Sequence, residues 1–220
     1  MIEMPDFSKT FDYENAFYLS CDKTRLSKVL AHFELFKMTL GLPGHIVECG
    51  VFKGASLVRF AMMRALFGGD ASRRIIGFDT FGPFPDSVYE ADREARQSFV
   101  SLAGDQSIST AQLIDALRHK GCEGYVELVA GDIRETLPAY VEAHPNLKIS
   151  LLNIDTDLYE PAKVILEMLY DRVVSGGVVI LDNYSTFPGE TKAVDDFLAG
   201  RNVTIRKPSY AMTPCYLVKP

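Results

Sequence analysis

Apolar residues recur every three or four positions across residues 23–40, at Leu26, Val29, Leu30, Phe33, Phe36 and Leu40. That is the period of a helix with one apolar stripe. The Gly41-Leu42-Pro43-Gly44 run ends it. Short apolar runs then alternate with helical stretches. The pattern predicts strands over residues 46–49, 74–78, 125–129, 147–154, 177–181, 203–206 and 214–218. It predicts helices over residues 55–67, 110–119, 133–143, 161–173 and 191–198. The first 20 or so residues, aromatic and polar by turns, read as an arm. Residues 80–106, opening on Phe81-Gly82-Pro83-Phe84-Pro85, read as an insertion or lid of the kind that binds substrate.

Strands separated by helices imply right-handed βαβ units and a parallel sheet covered on both faces. Strongly apolar strands such as residues 147–154 and 178–181 suit central, doubly covered positions. No helix separates the last two predicted strands, so they should form an antiparallel hairpin. The expected fold is α/β: one domain, doubly wound, Rossmann-like, with a mostly parallel seven-stranded sheet ending in that hairpin.

Composition narrows the field of functions. The chain has 220 residues, 47% hydrophobic and 24% charged, enough for one domain with a substantial core. No run reaches the ~18 apolar residues of a membrane span. A net charge of −6 disfavours binding to a nucleic-acid backbone. Cys21, Cys49, Cys122 and Cys215 lie far apart, with no CxxC, as expected in a reducing, cytoplasmic compartment. The partners expected are a small-molecule substrate and, through the arm, a second copy of the chain in a homo-oligomer.

Ligands of open α/β sheets bind beyond the carboxyl ends of the strands, and here those ends are acidic. Glu48, Asp79, Asp132, Asp155 and Asp182 each end or follow a predicted strand. One such aspartate reads as a turn or helix cap, but a row of them on one rim reads as a site. The first turn, from Val47 to Ser56, places Gly50 and Gly54 where the backbone can approach a ligand. Its Gly-x-x-x-Gly spacing differs from the GxGxxG that cradles a dinucleotide pyrophosphate. Glu48 would repel a pyrophosphate and suits a cationic amino acid, as in S-adenosylmethionine with its ammonium and sulfonium. Asp79 is placed to accept from ribose hydroxyls, which dinucleotide enzymes share, and Asp132 to meet an adenine amine. Glu48, Gly50, Gly54, Ser56, Asp79, Asp132 and Asp155 are the candidate cofactor residues.

The second half carries Asp155-Thr156-Asp157-Leu158-Tyr159-Glu160 and Asp182-Asn183-Tyr184. Neighbouring strands lie ~4.8 Å apart, which brings Asp155 near Asp182 and Asn183. Two carboxylates and an amide oxygen form a hard donor set suited to Mg²⁺. Asp157 is then the candidate general base for a hydroxyl. Helix caps and a turn are the plain alternative for the same residues. The four histidines share no metal spacing. Lys53 reads equally as a cofactor contact or a solvated turn residue. Tyr159 and Tyr184 read as substrate-stacking or packing residues, and Gly189-Glu190-Thr191 as a helix cap.

These motifs together resemble the macrocin O-methyltransferase (TylF-like) family over residues 18–197. The likeness is carried by Pro43-Gly44-His45-Ile46-Val47-Glu48-Cys49-Gly50-Val51-Phe52-Lys53-Gly54-Ala55-Ser56 and by Phe78-Asp79-Thr80-Phe81. It continues through Thr136-Leu137-Pro138, Asp155-Thr156-Asp157-Leu158-Tyr159-Glu160 and Ser175-Gly176-Gly177 to Asp182-Asn183-Tyr184 and Ala193-Val194-Asp195-Asp196-Phe197. The resemblance implies a class I methyltransferase fold and S-adenosylmethionine-dependent methylation of sugar hydroxyls. It also implies Mg²⁺ on Asp155, Asp182 and Asn183, with Asp157 as base. The family usually has a second aspartate where this chain has Asn183; catechol methyltransferases are similar here and have an asparagine. Two other readings compete: a nicotinamide-dependent oxidoreductase, and a cofactor-binding partner protein without activity. The glycine spacing and Glu48 oppose the first. The intact Asp155, Asp157 and Asp182 set opposes the second.

Overall fold

The computed structural model describes residues 2–67 and 72–220. Its elements are α1 (Thr10–Ser20), α2 (Lys23–Met38), β1 (His45–Cys49), α3 (Ala55–Leu66), β2 (Ile75–Asp79), α4 (Asp92–Ala103), α5 (Thr110–Arg118), β3 (Val126–Ala130), α6 (Ile133–Ala143), β4 (Ile149–Ile154), α7 (Tyr159–Leu169), β5 (Val173–Leu181), α8 (Pro188–Leu198) and β6 (Cys215–Val218). The strand order is β3-β2-β1-β4-β5-β6. All pairs are parallel except β5 with β6. The order reverses between β1 and β4, so their carboxyl ends diverge into opposite crossovers and leave a crevice.

Side chains alternate across the sheet and seed two cores. Val47, Cys49, Leu152, Ile154, Val179 and Leu181 pack with α6, α7 and α8 on one face. Ile46, Leu151, Val178 and Ile180 pack with α2, α3 and α5 on the other. β4 is buried along its whole length, as its apolar run predicts. No helix among the described residues is long and apolar enough to cross a membrane.

Three expectations change. The sheet has six strands rather than seven. Residues 203–206 contribute a single antiparallel bridge, Arg206 to Tyr216. In that register the next hydrogen-bonded pair would be Pro208 with Pro214, and neither has an N–H to donate. The arm contains a helix, α1, that buries none of its residues. Finally, α2 turns a different face inward: Ala31, His32, Leu35 and Phe36 are buried, while Leu26 and Leu30 are exposed. The inward face carries the buried polar residue His32, with the partly buried Lys28 one turn before it, so it does not read as an apolar stripe. Both residues belong to the site.

Candidate active site

A cavity of about 460 Å³ opens at the carboxyl ends of the strands, a size typical of a small-molecule site. Four non-glycine residues have positive φ among the described residues: Phe52, Phe81, Asp157 and Ser185. They lie after β1, β2, β4 and β5 respectively, all on this rim. Such conformations cost ~1–3 kcal/mol each and concentrate at functional sites.

The first turn is organised by Asp79. Its Oδ2 accepts the N–H groups of Val51 and Phe52 at 2.8 and 2.9 Å, and its Oδ1 accepts that of Phe81 at 2.7 Å. The carboxylate therefore ties the β1 and β2 loops together while lining the cavity. Gly50 and Ser56 also line it; Gly54 does not, and opens α3 at φ +84°. Glu48 lies beneath the cavity, fully buried. Its Oε1 accepts the Ser56 hydroxyl and, at 3.5 Å, the Asn153 amide, and its Oε2 has no partner. Glu48 does not line the cavity, whereas its partner Ser56 does.

Burial raises the proton affinity of Glu48 to about 8. The folded state then keeps a proton that the unfolded chain loses above its ordinary value of 4.5. Stability should fall as pH rises between those values. Glu48→Gln, which keeps the Ser56 bond without the ionisation, should show no change in Tm near pH 4. By pH 8 it should be the more stable protein by several degrees, at about 2–4 °C per kcal/mol. Parallel melting curves from pH 4 to 8 would sink this account.

Asp155, Asp157, Asp182 and Asn183 do converge. Asn183 donates through its Nδ2 to Asp155 Oδ1 at 2.9 Å and Asp157 Oδ1 at 2.6 Å. Asn183 Nδ2 thus faces both carboxyl groups. A cation from α2 completes the group. Lys28 Nζ lies 2.5 Å from Asp182 Oδ2 and 3.6 Å from Asp155 Oδ2. One helical turn on, the buried His32 faces Asp182 Oδ1 with its Nε2 at 3.5 Å. Arg59 donates to His32 Nδ1 at 2.8 Å, which leaves the imidazole proton on the side of Asp182.

Burial works against the charge on Lys28, but Asp155 and Asp182 outweigh it and hold the ammonium charged. Burial would likewise raise Asp182, yet Lys28 and His32 keep it ionised below the usual carboxylate range. Asp155 rises to about 7, from burial and then the charge of Asp182. Asp157 is pushed well above its ordinary value by burial, then by Asp155 and Glu190.

Glu190 was expected only as a helix cap. It is fully buried and accepts two backbone N–H groups, from Asn183 at 2.9 Å and Asp157 at 3.3 Å. The Glu190 N–H returns a bond to the Asp157 carbonyl at 3.1 Å. These bonds hold Asp157 at φ +64°. Glu190→Ala should therefore lose at least tenfold of any turnover that depends on Asp157, and Glu190→Gln, which keeps one of the two acceptor oxygens, should lose less, when kcat of the two variants is compared.

The segment after β2 closes on itself: Ser107 N–H bonds to Gly82 O and Phe84 N–H to Asp105 O. Ser87 and Tyr89 bond to Glu160, and Asp92 accepts the Tyr159 N–H at 3.0 Å, docking the segment on α7. Phe99 of α4 then lies 5.3 Å from the rings of Phe52 and Phe84 and 6.0 Å from Phe187, and all four line the cavity. Lys53 donates to Ala103 O at 2.6 Å, at the end of α4. Asp132 lines the cavity and caps α6, with its carboxylate paired to Arg134. Tyr159 and Tyr184 turn away and bond to Asp196 and Asp195 of α8.

The model of the macrocin O-methyltransferase (TylF) family matches residues 10–210. The chain belongs to this family. It is 31% identical over 151 residues to the 8-demethyl-8-(2,3-dimethoxy-alpha-L-rhamnosyl)-tetracenomycin-C 4'-O-methyltransferase of Streptomyces olivaceus, across 66% of this chain and 54% of that protein. The matched part thus spans little more than half of that relative. Among solved structures, the calicheamicin methyltransferase CalS11 superposes with a TM-score of 0.82 at 31% identity, covering 95% of this chain and 85% of the other. The apo structure of CalS11, a TDP-rhamnose 3'-O-methyltransferase, gives a TM-score of 0.71 at 28% identity, covering 95% and 86%. The six-stranded sheet of this TylF-family protein, parallel but for β6, is the class I methyltransferase fold.

Proposed function

We propose that this TylF-family protein is an S-adenosylmethionine-dependent O-methyltransferase acting on a hydroxyl of a sugar moiety or similar small-molecule natural product. One observation carries the reading. A single cavity joins the Gly50–Ser56 turn and Asp79 on one side to Asp155, Asp157 and Asp182 on the other. The first half has the room and acceptors for a nucleoside with a cationic amino-acid tail, and the second has the base. Gly50, Ser56, Asp79 and Asp132 would hold the cofactor, which supplies an electrophilic methyl group on sulfonium sulfur.

The chain's own residues then have two tasks. Rigid loops orient the acceptor hydroxyl for in-line attack, a large part of the rate available to such a displacement. Asp157 takes the hydroxyl proton as the oxygen–carbon bond forms and the carbon–sulfur bond breaks, its electrons staying on sulfur. The names of the relatives, both acting on rhamnose-bearing compounds, support a sugar acceptor. A cytoplasmic location is supported by four free cysteines. A homo-oligomer through the arm is supported by α1, which exposes Phe11, Tyr18 and Leu19, and light scattering reads it directly.

Calorimetric titration with S-adenosylhomocysteine, with NADH as control, tests the cofactor. Micromolar binding of the first and none of the second is the expected result. Binding of NADH alone would move the chain to the oxidoreductases.

A further inference from the structure

We propose that Lys28 is the resident cation of the acid cluster and takes the place of the divalent metal that an Asp155, Asp182 and Asn183 set would otherwise hold. A divalent ion needs several oxygens converging on one point, with positions left for water or substrate. Here the point between Asp155 and Asp182 is filled by an ammonium 3.6 and 2.5 Å away. The third donor offers N–H groups where a metal needs an oxygen, because Asn183 Nδ2 is committed to both Asp155 and Asp157.

The replacement is built into the fold. Lys28 and His32 stand one turn apart on α2, so both reach Asp182 from one helix face. Arg59 of α3 adds a second positive charge behind His32. A divalent ion entering this place would have to expel the lysine and face Arg59. Seven-tenths of the Lys28 side chain is buried, and Lys28 lines the cavity.

On the methyltransferase reading above, Lys28 has a role in the reaction. An ammonium has three N–H donors. One serves Asp182 and the longer approach to Asp155 leaves the others for an oxygen in the cavity. Lys28 would then meet the acceptor oxygen and stabilise the negative charge that grows on it as Asp157 takes its proton. A fixed cation in a closed site does electrostatically part of what a metal does for such an oxygen.

The test needs no acceptor. Mn²⁺ is titrated into the chelator-treated full chain, with and without S-adenosylhomocysteine, and free Mn²⁺ is read by electron paramagnetic resonance. The wild type is expected to bind no Mn²⁺ below about 1 mM total ion in either state, the weak end of the affinities of built divalent sites. Lys28→Met, which keeps the stem and removes the charge, is expected to bind at least tenfold more tightly. Should that variant fold poorly, the wild-type titration decides alone. Micromolar Mn²⁺ binding by the wild type, lost in Asp182→Asn, would overturn the proposal. So would equal affinity in wild type and Lys28→Met. Failure of S-adenosylhomocysteine to bind would count against the proposed function and leave this metal readout standing.

Discussion

Replacing Asp157 with asparagine is expected to lower kcat by about 10²–10⁴-fold, the usual worth of a positioned general base. Binding of S-adenosylhomocysteine should stay within about threefold of wild type. The substitution is isosteric, and the bond from Asn183 Nδ2 can be kept by the amide oxygen of the new side chain. The two backbone bonds between Asp157 and Glu190 involve no Asp157 side-chain atom. What changes is the ability to take a proton. The pH profile provides a second check. The groups facing Asp157 are Asp155 at the end of β4, Asp182 at the end of β5, Glu190 of α8 and Lys28 of α2. Burial and the three carboxyls raise its proton affinity, with Lys28 in partial opposition. A base must be ionised to act, so kcat/KM should rise with pH, with its midpoint well above the ordinary carboxylate range. A profile flat from pH 5 upward, or an Asp157→Asn variant with near-normal turnover, would remove Asp157 from the mechanism.

Much of the architecture was legible because strand ends in this fold carry their own punctuation. Cys49-Gly50, Asp79, Asp155 and Asp182 mark the ends of β1, β2, β4 and β5 within a residue. Helix α6 matches its predicted bounds, since Asp132 caps it and its apolar residues keep period. The convergence of Asp155, Asp182 and Asn183 was legible from the spacing of adjacent strands alone. Lys28, His32 and Arg59 were not. They come from α2 and α3, whose packing on β5 and β2 is a tertiary fact, and their charge keeps them out of any apolar stripe. One signal was present: Lys28, Ala31, His32, Leu35 and Phe36 recur at helical spacing, a buried face with two polar members. Glu190 was missed for the opposite reason. A glutamate in the first turn of a helix already has an ordinary explanation as a cap, and only the structure shows its two oxygens turned to other loops. The missing seventh strand depended on which residues pair, and two prolines fall at one hydrogen-bonded register position only once Arg206 is set against Tyr216.

Gly50→Ala should be among the most damaging single substitutions in the chain, although it adds one methyl group. Gly50 sits at φ +91°, where an L side chain is strained. A Cβ there would fall 1.9 Å from the Asp155 carbonyl oxygen and 2.6 Å from its carbon. Those atoms are backbone and are held in place: the Asp155 N–H bonds to Cys49 O at 2.9 Å and the Gly50 N–H to Phe78 O at 2.9 Å. Relief therefore requires β1 and β4 to part at the crevice. Backbone strain contributes about 1–3 kcal/mol and overpacking about 1–3 kcal/mol more. At about 2–4 °C per kcal/mol for a domain of this size, Tm should fall by roughly 10 °C. Gly41→Ala is the control, since a Cβ there meets nothing within 4 Å and needs no positive φ; its Tm should move by no more than a degree or two. The same displacement moves Asp155 and the Gly50 turn, the two walls of the crevice. Binding of S-adenosylhomocysteine should therefore weaken at least tenfold at a temperature where Gly50→Ala is still folded. A variant that melts like wild type would show that the β1 and β4 loops yield freely. One that melts early but binds normally would separate the tight backbone approach from the cofactor site and place the cofactor's main contacts on Asp79 and Asp132.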